Sequence, residues 1–476
     1  MATRAFCIHG HFYQPPREDP LTGVIPSERG AAPFTNWNER IHAECYRPNA
    51  DLGNFEHISY NIGPTLHRWM AAYDFETYAR IIAQDRMNVR RYHVGNAIAQ
   101  AYNHTILPLG TTQDKITQIY WGIADFKLRF GRAPQGMWLP ETAVDYETLE
   151  VLTQQGIQFT ILAPWQARYT GIDPTQPYQV ILPRNRKITI FFYQSELSAQ
   201  ISFDPQSTTN ADLFASRYIQ SAFNLSLNRQ KEPQILLFAS DGELYGHHQP
   251  MRDRFLAHLV NGASSRLGIT PTFPALWLKS HPARQNIEIH EQTSWSCHHG
   301  VARWKGSCPC TPENGEWKIY LRFAFERLAS ALDQLFFEVT SPYFRDPWQL
   351  RNRYIYVILK QMSLEDLVAE MASRALTSEE TRQIGLLLEM QRERQRMFTS
   401  CGWFFEDFDR IEPQNNVAYA AHAVRLARLA TGVDLEATTS EDLKRVISQY
   451  SRLSADAVFI QHLRRAEVPA SQVLAY

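Results

Sequence analysis

Segments with the apolar pattern of strands alternate with segments of helical periodicity over about the first 270 residues of the chain. Strands that alternate with helices pair in parallel, because each helix carries the chain back across the sheet. About seven such units favour a ring of strands over an open sheet. The predicted class is therefore α/β, with an incomplete TIM-like (β/α)7 barrel. The predicted strands cover residues 3–12, 56–63, 136–139, 159–164, 188–193 and 234–240.

The pattern changes after about residue 310, where long segments of helical periodicity follow one another and strand-like segments become scarce. We therefore predict two domains, a catalytic barrel at residues 1–310 and an α-helical C-terminal domain at residues 311–476. The helices of the second domain are predicted at residues 316–339, 347–371, 377–398, 416–431 and 440–453.

Charge and hydropathy exclude several classes of partner. The chain has 476 residues and a formal net charge of −1, so we expect neither a nucleic acid nor a membrane partner. No apolar run approaches the ~18 residues that span a bilayer, and the N-terminus enters a strand directly, which predicts a cytoplasmic protein.

Aromatic residues make up 12% of the chain. This content favours a carbohydrate site slightly, because sugar rings stack on aromatic side chains. The oligomeric state is left open.

Polar side chains stand at the carboxyl ends of several predicted strands, namely His9, His11, Glu141 and Asp241. Barrels of parallel strands place their reactive groups at this end. A pair of carboxyl groups is the requirement for cleaving a glycosidic bond, with one as proton donor and the other as nucleophile or base. Each carboxylate could instead cap a helix, and Glu243 competes with Asp241 for the second role.

The two histidines allow another interpretation. Two histidines on one face of a first barrel strand also occur in metal-dependent hydrolases and deacetylases, where they bind Zn²⁺. Further ligands would then come from later strand ends, and candidates are His57, His93, His104, His247 and His248. Hydrogen bonds from His9 and His11 to sugar hydroxyls, or to partners within the core, require fewer coincidences, so we predict no metal and no cofactor.

Six cysteines are too few for a disulfide scaffold. Cys308 and Cys310 flank one proline, and Cys297, His298 and His299 precede them by about ten residues. The gap of one residue differs from the two-residue gap of common zinc sites. We predict structural cysteines here, and a metal site or a redox bridge remains the alternative.

Five motifs follow one another between about residues 5 and 305, and they are His9–Pro15, Asn54–Gly63, Trp138–Glu141, Asp241–His247 and Ser294–Gly300. In this order they resemble the conserved regions of the family 57 glycoside hydrolases, which are retaining enzymes active on α-glucans. Near the C-terminus, the segment Thr399–Phe408 resembles an uncharacterised helical domain that is attached to one branch of that family.

The resemblance implies a (β/α)7 barrel, Glu141 as nucleophile and Asp241 as general acid/base. The implied activity is that of an amylase, a glucanotransferase or a branching enzyme acting on α-linked glucan. Loops 13–50 and 296–316 would decide between hydrolysis and transfer. A non-catalytic glucan-binding protein is a further alternative. The candidate substrate-binding residues are His9, His11, Gln14, Glu56, His57, Trp138, Glu243, His247, Trp295, His299 and Trp304.

Overall fold

The computed structural model describes residues 3–311 and 315–467. These residues form two compact units. The barrel unit comprises the described parts of Met1–Gln14, Ser27–Tyr102 and Asp125–Ser296, and the helical unit comprises those of Pro15–Pro26, Asn103–Ala124 and Cys297–Tyr476. Both units are thus assembled from several stretches of chain. The predicted domain boundary at residue 310 stays a prediction.

All described strands belong to the barrel unit. They are β1 Arg4–Phe12, β2 Ser59–Ile62, β3 Ala99–Gln100, β4 Met137–Trp138, β5 Phe159–Leu162, β6 Tyr178–Leu182, β7 Arg186–Phe192, β8 Gln234–Asp241, β9 Thr270–Pro271 and β10 Gln285–Asn286. Parallel ladders join β1 to β2 and β8, β3 to β4, and β5 to β7.

Seven of these strands follow one another in space. Single bridges, Tyr60 to Ala97 and Gly136 to Phe159, connect β2 with β3 and β4 with β5. Between β7 and β8 the connection is a backbone hydrogen bond of 2.6 Å from Gln194 N–H to the Leu237 carbonyl. The order β8-β1-β2-β3-β4-β5-β7 therefore runs around the unit as three sheets joined by short links.

The interior of this ring is filled by every second residue of the strands, as expected where successive side chains alternate between two faces. On β8 the row Ile235, Leu237 and Ala239 belongs to the buried cluster, and so does the row Ala5 and Cys7 on β1. Continued by the same step of two, these rows reach Asp241 and His9–His11. The sequence thus places polar groups on top of an apolar interior.

Helices flank the strands of this unit. They are α1 Trp37–Ile41, α2 Arg47–Asp51, α3 Asn54–His57, α4 Pro64–Tyr73, α5 Phe75–Tyr92, α6 Thr112–Phe130, α7 Tyr146–Gln154, α8 Ser195–Phe203, α9 Ala211–Phe214, α10 Leu225–Gln230, α11 Arg252–His258, α12 Ser264–Arg266 and α13 Pro274–Ser280. Residues 112–124 of α6 belong to the helical unit.

Several sequence-based boundaries were wrong. Residues 13–50, predicted as one long loop, contain α1 and most of α2. The strand predicted at 56–63 begins only at Ser59, because Gly53 has a left-handed backbone (φ 77°) and starts α3. Residues 209–227, whose spacing predicts one helix, are interrupted where Phe223 is extended and Asn224 caps a new helix. Strand β6, which pairs antiparallel with β7, was missed.

The helical unit contains nine further described helices. They are α14 Glu316–Thr340, α15 Pro347–Arg353, α16 Ile355–Ile358, α17 Leu364–Met371, α18 Ser378–Arg396, α19 Cys401–Phe404, α20 Ile411–Thr431, α21 Glu436–Leu443 and α22 Ala455–Glu467. The helix predicted at 347–371 is broken because Lys360 has a left-handed backbone (φ 57°) and Ser363 caps the next helix. The helix predicted at 440–453 ends at Leu443. Within the described ranges, no helix is both long and apolar enough to cross a bilayer.

Candidate active site

Glu141 lies three residues after the end of β4, in the turn Pro140–Thr142, and has an unusual backbone. Its φ is 59°, and the next residue, Thr142, has a φ of 49°. Left-handed conformations are uncommon for residues with a Cβ and are strained for a β-branched residue such as threonine. Strain of this kind persists only where surrounding contacts impose it, and it concentrates at functional sites.

The contacts that impose this backbone come mainly from Gln166, whose side chain is fully buried. Its Oε1 accepts hydrogen bonds from the Thr142 hydroxyl (2.8 Å) and from Ala163 N–H (2.8 Å). Its Nε2 donates to the Thr142 carbonyl (2.9 Å) and to the Thr293 hydroxyl (3.2 Å). One amide therefore holds the turn that presents Glu141.

We expect Gln166→Ala to lower kcat by roughly 10–100-fold with little change in KM, because the Glu141 carboxylate is misplaced. The free energy of unfolding should fall by about 2–4 kcal/mol, because several buried polar groups lose their partner. Steady-state kinetics and urea unfolding measure both effects. Gln154→Ala, on the exposed side of α7, is the control. A loss of stability with unchanged kcat would reduce Gln166 to a purely structural role.

Two donors from one segment fix the Glu141 side chain. Its Oε2 accepts hydrogen bonds from Trp295 Nε1–H (3.1 Å) and from the Ser296 hydroxyl (2.6 Å). The Glu141 carbonyl also accepts the Trp295 backbone N–H (3.0 Å). The carboxylate is half-buried, so it keeps access to solvent while its direction is set. The structure thus brings Trp295, a candidate substrate-binding residue, into contact with Glu141.

A buried ring platform lies beside these groups. Trp138 has no exposed surface. It stacks on His9 (ring centroids 4.7 Å apart) and on His11 (5.2 Å), and its edge contacts Trp295 (5.0 Å). Because the indole is covered on all sides, Trp138 supports the histidines and cannot itself stack on a sugar, contrary to the role expected for it.

Asn61 determines where the two histidines carry their protons. His9 Nε2–H donates to Asn61 Oδ1 (3.1 Å), and the Ser59 hydroxyl donates to His9 Nδ1 (2.9 Å). Asn61 Nδ2 donates to His11 Nδ1 (2.9 Å) and to Gln100 Oε1 (2.6 Å). His11 Nδ1 lies closer to Asn61 Nδ2 (2.9 Å) than to Asn61 Oδ1 (3.3 Å), so we assign Nδ1 as the acceptor and the proton to Nε2. His11 is thereby prepared as a hydrogen-bond donor to a sugar hydroxyl.

Both imidazoles are neutral near pH 7. Burial lowers the pKa of His9 to about 3, with a smaller contribution from neighbouring His11. Burial likewise lowers the pKa of His11 to about 4. Both ring nitrogens of His9 are engaged by Ser59 and Asn61, so His9 has no nitrogen to offer a metal. The interpretation as a metal-dependent hydrolase built on His9 and His11 therefore has no support in this geometry.

Asp241 ends β8 and is in register with His11 of β1, which is in turn in register with Asn61 of β2. Residues in register on parallel strands project to the same face. The side chain reaches solvent, and the protein atoms around it remove part of its hydration. This desolvation, and then the charge of Glu141, raise the pKa of Asp241 to about 7. A carboxyl group with this pKa holds a proton near neutral pH and can donate it.

Glu243, two residues further, is buried in a hydrogen-bonded network. Its Oε1 accepts the Tyr46 hydroxyl (2.7 Å) and Tyr13 N–H (3.1 Å), and Gln14 Nε2 donates to that same hydroxyl (3.2 Å). Burial raises the pKa of Glu243 to about 8. With both donors on one oxygen and little exposure, Glu243 suits a supporting role better than Asp241's role as proton donor.

Other candidate residues lie elsewhere. Glu56 and His57 precede β2 and therefore stand at the amino end of the strands, away from the carboxylates, and Glu56 pairs with Arg91 (3.1 Å). His247 bonds Glu44 and contacts the edge of Trp37.

In the helical unit, Trp304 is fully buried, and its carbonyl accepts two hydrogen bonds from Arg322. His299 also belongs to that unit, where its partners are Cys308 and Cys310.

Several residues of the site were not singled out as binding residues from the sequence. Ser59 and Asn61 lie within the motif Asn54–Gly63, but nothing in the sequence indicated their contacts with the histidines. Tyr46 and Gln100 sit in segments without a distinctive pattern. Gln166 is 24 residues from Thr142, and no local signal indicates that the two meet.

The comparisons with known proteins agree with this geometry. Residues 88–285 match the family model Glycosyl hydrolase family 57. This region is a family 57 glycosyl hydrolase domain. Residues 314–476 match a domain of unknown function, DUF3536. Both predicted resemblances are thereby confirmed, and so is the prediction of a glycoside hydrolase or glycosyltransferring enzyme. None of the curated proteins compared matches the sequence.

Solved structures with the same fold have low sequence identity. The exo-type maltose-forming amylase from Pyrococcus sp. ST04 has a TM-score of 0.74 at 15% identity, over 96% of this chain and 88% of that one. The family 57 branching enzyme from Pyrococcus horikoshii has 0.62 at 16%, over 96% of each chain. The α-amylase from Thermotoga maritima has 0.55 at 12%, over 96% and 99%. These likenesses establish the fold and confirm the predicted (β/α)7 class with a helical C-terminal part.

Proposed function

We propose that this chain cleaves α-linked glucan with retention of configuration, by hydrolysis or by transfer to a second sugar. The observation that carries the proposal is a pair of carboxyl groups at strand ends, of which one is oriented as an anion and the other retains a proton. Glu141 accepts two hydrogen bonds and is oriented as an anion. Asp241, within reach of the Glu141 charge, has a pKa of about 7 and retains a proton. Retaining glycosidases require this division of roles.

The two residues would act in turn. Glu141 attacks the anomeric carbon while Asp241 protonates the departing glycosidic oxygen, and a covalent glycosyl-enzyme forms. Asp241, now ionised, takes a proton from the incoming water or sugar hydroxyl, which releases the sugar from Glu141. His11, neutral with its proton on Nε2, would donate to a hydroxyl of the sugar bound between them. No metal takes part in these steps.

The substrate class rests on the site and on the structural relatives. The relatives named above are amylases and a branching enzyme. In this chain the half-buried rings of Tyr13 and Trp295 flank His11, at centroid distances of 5.9 and 6.5 Å. Aromatic rings beside hydrogen-bonding groups suit the apolar faces and hydroxyls of glucose units.

Product analysis with maltooligosaccharides and amylose tests the proposal. Longer and shorter chains appearing together indicate transfer, new branch points indicate branching, and new reducing ends alone indicate hydrolysis. The Glu141→Gln protein, incubated in parallel, controls for contaminating activity. Glucan binding without any product, across α-1,4- and α-1,6-linked substrates, would contradict the proposal and favour the non-catalytic glucan-binding alternative.

A further inference from the structure

A compact group of four metal-ligand side chains lies in the helical unit. It consists of Cys297, His299, Cys308 and Cys310. The Sγ atoms of Cys297 and Cys308 are 3.4 Å apart, and His299 Nδ1 lies 3.4 Å from Cys308 Sγ and 3.3 Å from Cys310 Sγ. All four ligand atoms lie within 4.8 Å of one another. The cysteines are present as free thiols, not as a disulfide.

These separations suit one tetrahedral metal ion. Zn–S bonds of about 2.3 Å and Zn–N bonds of about 2.0–2.1 Å place neighbouring ligand atoms roughly 3.6–3.8 Å apart. The three short contacts differ from these values by a few tenths of an ångström, and the other ligand atoms lie within 4.8 Å of one another. Side-chain rotations can therefore bring all four to one ion. The set of three thiolates and one imidazole is a known donor set of structural zinc sites, and soft sulfur ligands select Zn²⁺ over Mg²⁺ or Ca²⁺.

The surroundings of the sulfur atoms support thiolate ligands. Backbone N–H groups of His299 and Arg303 are directed at Cys297 Sγ, and that of His298 is directed at Cys310 Sγ. Gly300 has a left-handed backbone (φ 74°), and its N–H donates to the Cys297 carbonyl (3.1 Å). This turn folds the chain back so that the His299 ring and the backbone donors lie among the same group of cysteines.

Lys318 provides an independent observation. Its ammonium group is buried, and among the described residues it has no hydrogen-bond partner. The sulfur atoms of Cys308 and Cys297 and the Glu406 carboxylate favour its positive charge, and the neighbouring Arg303 opposes it. A buried charge requires compensation. Zn²⁺ with three thiolates and a neutral imidazole has a net charge of −1, which matches one ammonium group.

We propose that Cys297, His299, Cys308 and Cys310 bind one Zn²⁺ ion in a structural site. Four protein ligands fill the tetrahedron and leave no open position for catalysis. Cys297 and Cys308 are buried, which suits a site that stabilises its segment. The one-residue gap between Cys308 and Cys310, which differs from the gap in common zinc sites, led us to expect plain structural cysteines. The fold compensates for it by adding His299 and Cys297 from a separate turn.

Metal analysis of the full-length protein tests the proposal independently of its catalytic function. Protein purified without chelator, or reconstituted from reduced apoprotein, is expected to contain one zinc per chain. Replacement by Co²⁺ should give the thiolate charge-transfer and d–d absorption bands of a tetrahedral sulfur site. Removal of the zinc should lower Tm. Reduced protein that takes up neither Zn²⁺ nor Co²⁺, or that shows octahedral Co²⁺ bands, would overturn the proposal.

Variants assign the ligands. Cys308→Ser and Cys310→Ser should lose stoichiometric zinc. His299→Ala should weaken binding but keep the thiolate charge-transfer bands of the Co²⁺ protein, because all three cysteine ligands remain. Cys401→Ser, in the same unit but outside the group, is the matched control and should retain one zinc. If the cysteine variants do not fold, titration of the wild-type thiols decides. Zinc should protect three of the six cysteines from alkylation, and equal labelling with and without zinc would contradict the site.

Discussion

Glu141→Ala is expected to lower turnover of a maltosyl substrate by ~10³-fold or more, because the nucleophile that forms the glycosyl-enzyme is removed. Sodium azide should restore part of the rate, since the small anion fits the space left by the carboxylate. Azide then attacks the α-linked substrate from the opposite face and gives a β-linked glycosyl azide. Initial rates with maltosyl fluoride and NMR of the azide product measure the result.

The stereochemistry of the azide product separates the two carboxylates. In Asp241→Ala, Glu141 still forms the β-linked glycosyl-enzyme, so azide attacks that intermediate and gives an α-linked product. Glu147→Ala, a change on the exposed surface of α7, is the control and should keep wild-type activity. An α-linked azide from Glu141→Ala would reverse the assignment, and azide rescue of Glu243→Ala instead of Asp241→Ala would transfer the acid/base role to Glu243.

The polar residues at the ends of β1 and β8 could be predicted because inward-facing residues recur at every second position of a strand. On β8 the inward row Ile235, Leu237 and Ala239 leads by steps of two to Asp241, and on β1 the same count leads to His11. Such counting needs only the strand and its direction. It leads to Asp241 and to the two histidines. Glu141 does not follow from it, because a step of two from the inward Trp138 leads to Pro140; Glu141 was predicted from its place at the end of an apolar segment.

The same counting fails where a strand begins later than its apolar pattern indicates. Residues 56–63 have the composition of one strand, but Gly53 starts a short helix that ends at His57, and β2 begins at Ser59. The inward residues are therefore Ser59 and Asn61, and Glu56 and His57 fall at the far end. Contacts made by loop closure, such as Gln166 with Thr142, depend on the tertiary fold and leave no periodic signal in the sequence.

The activity of the wild-type enzyme is expected to fall as pH rises through about 7. Asp241 must carry a proton to assist departure of a sugar, and its pKa of about 7 places the loss of that proton in this range. Asp241→Asn should lower kcat/KM on maltooligosaccharides by about 10²–10⁴-fold. With maltosyl fluoride, whose leaving group needs no protonation, formation of the glycosyl-enzyme should be much less impaired.

pH profiles of kcat/KM with both substrates measure these effects. With maltooligosaccharides as substrate, the residual activity of Asp241→Asn should lack the decline above pH 7, whereas with maltosyl fluoride even the wild type should show little decline. Glu243→Gln serves as the control and should retain that decline, because Glu243 is not the proton donor. A decline that persists in Asp241→Asn and disappears in Glu243→Gln would contradict the assignment and identify Glu243 as the titrating acid.

The raised pKa of Asp241 also makes the stability of the folded protein fall as pH rises. Asp241 binds its proton more tightly in the folded protein, with a pKa of about 7, than in the unfolded chain, where the ordinary value of 3.8 applies. Its contribution to stability is therefore present in full below about pH 4 and is lost as pH rises through about 7.

Asp241→Asn removes the ionisation, so its Tm should equal that of the wild type at pH 4 and exceed it at pH 8. Because the side chain reaches solvent, the difference should be modest. Calorimetry at both pH values tests this, and a Tm difference that shrinks as pH rises would show that the folded protein stabilises Asp241 as an anion, which is incompatible with a proton donor.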